Sequence, residues 1–154
     1  MKIKSKVSFP AKVMLLSAWA AILSSALFTS CSDKPVKNGW YPIRDCKTQT
    51  FDSSPIVTTA DFEVLRIDSA LNSANVMTYM ITGKIKSDKA KVWADATEKA
   101  IGKHMGFLYN GKVVTAPQVN ARIESGNFQI IPDEFCNDRR RIFEMYDTLI
   151  DERN

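Results

Sequence analysis

The sequence predicts an α+β domain in which an antiparallel sheet carries two helices on one face. Three observations lead there. Asn110-Gly111 sits between the apolar-rich runs Phe107-Leu108-Tyr109 and Lys112-Val113-Val114. Both residues of a two-residue hairpin turn take positive φ, which Asn and Gly do cheaply, so this is the strongest short-range hairpin signal in the chain. The segments following Ser87 and Pro132 each place apolar residues at helical spacing along one side. The resulting order of strands, helix, strands, helix gives two one-faced helices to cover one face of an antiparallel sheet.

The chain begins with a leader. Residues 1–30 hold four lysines (Lys2, Lys4, Lys6, Lys12) and no acid, followed by the apolar core Val13 to Phe28. That is the pattern of a signal peptide, and the core is at the short edge for a spanning helix, which wants roughly 20 apolar residues. The run Leu27-Phe28-Thr29-Ser30-Cys31 resembles a bacterial lipoprotein processing box, in which Cys31 becomes the lipidated N-terminus; Phe28 departs from the aliphatic residue usual at its position. The alternative is an uncleaved anchor with an incidental cysteine. Acyl chains on Cys31 would hold the protein at a membrane, at about 0.8 kcal/mol per buried CH₂. Removing the four leader lysines from the 21 basic residues leaves 17, against 17 acidic ones. The remainder is formally neutral, so no nucleic-acid partner is expected, because such binding needs a net basic face.

Residues 31–54 read as a tether, with Pro35, Asn38-Gly39, Pro42 and Ser53-Ser54-Pro55 and no sustained periodicity. Within it Trp40-Tyr41-Pro42 forms an aromatic cluster, which either docks on a partner or folds back on the domain, the second being favoured. The domain proper is expected at 55–154. Ile56-Val57-Thr58 is a short strand and Phe62 to Asp68 a longer one. A turn follows from Ser69 to Asn75. Val76 to Ile85 is the next strand, with Met77, Tyr79, Ile81 and Ile85 toward the core and Gly83 as the flaw in the pattern. Ser87-Asp88 supplies a helix N-cap signal, Ala90, Trp93, Thr97, Ala100 and Ile101 make one face, and Gly102 ends the helix in a left-handed conformation. Strands Lys103–Tyr109 and Lys112–Thr115 form the hairpin. A further extended piece comes from Arg122-Ile123 or from Asn127–Ile131. Pro132-Asp133-Glu134 opens the final helix, whose stripe is Phe135, Ile142, Tyr146 and Leu149.

The run IGKHMGFLYNGKVVTAPQVNARIESGNFQI, with the helical segment before it, resembles the head part of the first periplasmic domain of SecD, a subunit of the SecDF protein-export complex. The residues that carry the resemblance are Thr97, Gly102, Lys103, Asn110, Gly111, Val113, Ala116, Pro117, Ile123, Gly126 and Ile130. The match runs from roughly Pro55 onward. It implies a head-like extracytoplasmic domain that works on polypeptide. With no membrane-spanning helix expected after the head, the resemblance does not extend to a proton-driven motor.

Few constellations point to chemistry. His104 is the only histidine, so a histidine metal site is excluded and any catalytic triad would rest on it alone. Asp95 and Glu98 lie three apart on the first helix, but Lys91, Lys99 and Lys103 are spaced to pair with them on a solvated face. Arg139-Arg140-Arg141 point in three directions on a helix. Cys46 and Cys136 are candidates for a disulfide outside the cytoplasm. There is no phosphate-cradling loop, nucleophile elbow or paired-cysteine metal motif, hence no cofactor or metal is expected and no enzyme. The expected function is a lipid-anchored extracytoplasmic module that binds a protein partner or exported polypeptide. A structural envelope lipoprotein is the alternative, ahead of a small envelope enzyme. The expected contact surface is the loop after the hairpin, Ala116, Pro117, Gln118 and Asn120. Pro117 cannot join a sheet ladder, so the segment should leave the sheet and project, offering two amides to a partner.

Overall fold

The computed structural model describes residues 35–154. The expected signal peptide and the lipidation of Cys31 lie outside the described residues. Eight strands, two α-helices and a short 3₁₀ turn follow one another: β1 (Gly39–Asp45), β2 (Thr50–Phe51), β3 (Val57–Thr58), the turn Thr59–Asp61, β4 (Phe62–Leu71), β5 (Met77–Ile85), α1 (Ser87–Lys99), β6 (Met105–Tyr109), β7 (Lys112–Thr115), β8 (Asn127–Ile130) and α2 (Arg139–Arg153). The fold is α+β, with all strand pairs antiparallel, divided between two sheets. One has the order β2-β1-β6-β7, with β3 also on β1. The other has the order β4-β5-β8.

The segment expected as a tether supplies the central strand of the first sheet. On one edge β1 pairs with β6 from Gly39↔Leu108 to Pro42↔Met105. On the other it pairs with β3 through Gly39↔Thr58 and Trp40↔Val57, and with β2 through Ile43↔Phe51. The ordered domain therefore starts before Pro55, and the Trp40 and Tyr41 rings are buried against it as the favoured reading expected, though as residues of a strand and not of a linker. The physical reason is non-local. Asn38-Gly39 and Pro42 carry turn chemistry when read alone, but the apolar residues between them are covered by strands far along the chain.

In the second sheet, β4 runs to Leu71, three residues into the expected turn. Its register slips between Phe62 and Val64. That irregularity lets Phe62 and Leu65, an odd number of residues apart, both be buried. Gly83 is no flaw: a Cβ there would lie 2.3 Å from the Phe128 ring and 2.7 Å from the Val64 carbonyl oxygen, so the strand needs a glycine for Phe128 to lie across it. Of the two extended pieces left open after the hairpin, Asn127–Ile130 is the strand, paired with β5 through Ile81↔Ile130 and Gly83↔Phe128. The hairpin turns as expected, with Tyr109 opposite Lys112 and φ of 50° at Asn110 and 75° at Gly111.

Helix ends differ from expectation in two places. The N-cap of α1 is Lys86, with no side-chain bond, and Asp88 lies in the first turn. The last helix begins at Arg139, not at Pro132. Its cap is Asp138, which accepts a hydrogen bond from the Arg141 amide at 3.2 Å. Pro132 to Asn137 instead form an irregular passage: the Asp133 amide donates to the Val114 carbonyl at 2.9 Å, and Phe135 is buried in the core. Ile142, Met145 and Leu149 make the buried face of α2. Ile101, expected on the α1 face, lies beyond the helix end and is 49% exposed.

A single core joins the layers: Trp40 and Phe107 from the first sheet, Phe62, Ile81, Phe128 and Ile130 from the second, Trp93 from α1, and Ile142 and Leu149 from α2. Burying a large apolar side chain is worth about 1.5–3 kcal/mol, so these residues dominate the stability.

Candidate functional site

Aromatic rings gather where β1, α1 and β8 meet. The Trp40 ring stands edge-on to those of Trp93, Phe107 and Phe128, with centroids 5.7, 5.4 and 6.1 Å away. Each such pair contributes about 0.5–1.5 kcal/mol beyond its buried area. Trp40 is 3% exposed and Trp93 2%. Both indole Nε1 atoms are buried without a hydrogen-bond partner. The two indoles border a cavity of about 310 Å³, together with Met105, Val119, Ile123 and Phe128.

The rim of that cavity is the segment singled out from sequence. Pro117, Gln118 and Asn120 border it and are exposed, while Ala116 is half-buried. The segment does not project. After Thr115 it leaves the hairpin ladder and returns along the end of α1. The Met105 amide donates to the Pro117 carbonyl at 3.2 Å, the Val119 amide to the Lys103 carbonyl at 2.9 Å, and the Gly102 amide to the Val119 carbonyl at 2.8 Å. Pro117 lacks a donor, but its carbonyl still accepts, and Val119, buried beneath, pulls the chain inward. Gln118 also has a local use, since its Nε2 donates to the Gly102 carbonyl at 3.1 Å. His104 pairs through its backbone with Gln118.

The remaining charged candidates are structural. Asp95 and Glu98 do present their carboxylates together, but to Arg122, which sequence reading overlooked. The Arg122 guanidinium lies 3.0 Å from Asp95, 2.6 Å from Glu98 and 3.2 Å from Glu124. Lys91 lies 2.7 Å from Asp95 on the helix surface. Hydrogen bonds from Lys91 and then Arg122 hold the Asp95 carboxyl below the usual carboxylate range, and Asp95 in turn raises the Arg122 pKa. This clamp fastens the loop before β8 to α1, helped by the Ile123 amide, which donates to the Thr97 hydroxyl at 3.0 Å. The three consecutive arginines diverge: Arg139 stacks on Phe143, Arg140 pairs with Glu144 and Arg141 stacks on Phe135. Cys46 and Cys136 are free thiols, the first exposed and the second half-buried. Among the described residues no group of His, Cys, Asp and Glu is arranged to hold a metal ion, and no helix is long and apolar enough to cross a membrane.

Opposite in character is the polar node at the start of β1. Asn38 is 6% exposed. Its Oδ1 accepts from the Asn110 amide at 2.7 Å and its Nδ2 donates to Glu152 Oε1 at 2.8 Å. The Thr59 hydroxyl lies 3.1 Å from the Asn38 carbonyl oxygen and 3.0 Å from Glu152 Oε2. The hairpin turn, the 3₁₀ turn and α2 are thus tied to the residue before β1.

Comparison with known proteins gives this arrangement a family. The family model described as SecDF, P1 head subdomain, matches residues 40–134. The chain is 41% identical over 51 residues to the protein translocase subunit SecD of Acidaminococcus fermentans, a stretch that is 33% of this chain and 12% of that protein. The chain therefore corresponds to a small part of that relative. A solved structure of SecDF, described as a membrane component that enhances protein export, aligns with a TM-score of 0.52 at 21% identity, covering 64% of this chain and 41% of that one. A SecDF crystal structure in the super-membrane-facing form aligns at 0.49 and 21% identity, covering 65% and 12%. At 21% identity the first of these likenesses is one of fold.

Proposed function

The chain belongs to the SecDF P1 head subdomain family, and from that premise we propose that it is a lipid-anchored, extracytoplasmic module that binds polypeptide in protein export or envelope assembly. The single observation that carries this reading is the family match over residues 40–134, which spans both sheets and the cavity. The relative that shares 41% identity over part of the chain is a protein translocase subunit. The contact face is the cavity rim, where Pro117, Gln118 and Asn120 are exposed on a segment held by backbone hydrogen bonds. Recognition residues collect on loops that a rigid scaffold positions. The anchor is the lipid on Cys31, which keeps this face at a membrane surface.

The test is capture from detergent-solubilised membranes with the tagged full-length chain. The wild type co-purifies exported polypeptides or export proteins. Gln118→Ala with Asn120→Ala lowers that capture several-fold while the melting temperature stays nearly constant, because both amides are on the surface. Undiminished capture by the folded double variant moves the contact face elsewhere. No specific co-purifying protein at all favours a structural envelope lipoprotein. Cys31→Ser releases the protein from the membrane or leaves an unprocessed precursor.

A further inference from the structure

We propose that the outer edge of β4 joins two copies of this chain, paired antiparallel about Ile67 so that Arg66 of each copy lies opposite Asp68 of the other. The surface shares no residue with the Trp40–Trp93 cavity.

β4 ends its sheet, whose order is β4-β5-β8. The direction of its backbone groups follows from its neighbour. The Tyr79 amide donates to the Cys136 carbonyl at 2.6 Å and the Ile85 amide to the Gly126 carbonyl at 2.9 Å, so the odd residues of β5 turn away from β4. Its even residues bond to β4, through Thr78↔Ala70, Met80↔Asp68 and Thr82↔Arg66. The odd residues of β4 therefore turn their N–H and C=O outward. Two contacts agree: the Leu65 carbonyl accepts from the Tyr146 hydroxyl and the Glu63 carbonyl from Arg153, each at 3.3 Å. Beyond Leu65 the edge is open. Among the described residues no other strand pairs with it, and the Ser69 amide is met only by the carboxylate of Asp68, at 2.8 Å.

An open edge is a template for another strand, and charges placed on it usually keep strands away. Here the two charges have opposite signs and lie two residues apart on one face of the strand. Arg66 and Asp68 are exposed, and among the described residues neither enters an ion pair. An antiparallel copy centred on Ile67 satisfies both, twice over, because residue 66 then faces residue 68 on either side of the two-fold axis. These are non-hydrogen-bonded positions across the new seam, where Cα atoms approach to about 4.5 Å and side chains are closest. The same register places Ile67 opposite Ile67 and Val64 opposite Ala70. It also gives the Ser69 amide the Leu65 carbonyl of the second copy, which has a lone pair to spare beside Tyr146. The Asp68 carboxylate is then released to the facing arginine. Centring on Ser69 instead would bring the two Asp68 carboxylates diagonally together, which disfavours that register.

The test is sedimentation equilibrium of the full-length chain in detergent over a range of concentrations. Wild type shows a reversible monomer–dimer equilibrium. Arg66→Asp and Asp68→Arg, each alone, set like charges opposite one another and weaken it about tenfold or more. An equimolar mixture of these two variants regains dimer, since each then faces its complement. Both positions are exposed, so the thermal melt stays near that of wild type. Ser69→Pro removes an outward amide without touching the ladder to β5 and abolishes the dimer. The inference is overturned if wild type is monomeric throughout, if the single charge variants or Ser69→Pro dimerise as well as wild type, or if the mixture stays monomeric.

Discussion

Asn38, just before β1, and Trp40, its second residue, lie two residues apart, both buried, and their polar atoms meet opposite fates. Every hydrogen-bonding group on the Asn38 side chain has a partner, drawn from the hairpin turn and from α2. The Trp40 indole N–H has none, and neither does that of its neighbour Trp93. The first arrangement is what a fold needs when it closes a polar seam. The second adds nothing to stability, since an unmet buried donor works against it. The difference separates the residue before β1, which fastens the domain, from the strand residue whose ring borders a cavity. The largest charged cluster near that cavity, Arg122 with Asp95, Glu98 and Glu124, is internally paired.

The comparison can be broken at several strengths. The largest effect comes from removing the strand altogether. A chain beginning at Pro55 loses the strand that joins β6 to β2 and β3. It should show no cooperative thermal transition by circular dichroism, and a sharp melt would mean that β1 is an accessory to the core. Next is Asn38→Ala, which strands the Asn110 amide and the Glu152 carboxylate. A loss of about 1–3 kcal/mol in urea unfolding is expected, and no loss would show that water replaces the side chain without cost. The smallest effect belongs to Trp93→Phe. It deletes an unpartnered donor and keeps most of the ring, so its cost should be well under that of Asn38→Ala and confined to lost packing volume. Equal costs at the two sites would mean that the Trp93 indole is satisfied and the contrast is false.

Local chemistry was legible in the sequence, and long-range pairing was not. The turn at Asn110-Gly111 could be read from two residues, because positive φ is a property of the residue itself. Gly102 was legible for the same reason, with φ of 78° beyond the end of α1. The start of α2 was misread because Pro132-Asp133-Glu134 has the signature of a helix start, while the Asp133 amide is bound to Val114 on β7. β1 was missed because its partners lie at residues 50–58 and 105–108, and Pro42 and Gly39 speak locally for a linker. At the candidate site, the loop from Ala116 to Asn120 was named from its amides and its proline. The cavity beneath it was not, since it arises only when residues as distant as Trp40, Trp93 and Phe128 are brought together. Arg122 gave no signal either, as its three carboxylates come from two elements.

The most direct measurement places a photo-activatable cross-linker at Gln118, on the cavity border, and in a second chain at Lys47, in the exposed turn after β1. Both are irradiated in intact membranes during export of a labelled secretory polypeptide. Adducts to the labelled chain from Gln118, with little from Lys47, are the predicted result. Equal labelling from both positions, or labelling from Lys47 alone, would contradict the claim that polypeptide is met at the rim of the Trp40–Trp93 cavity.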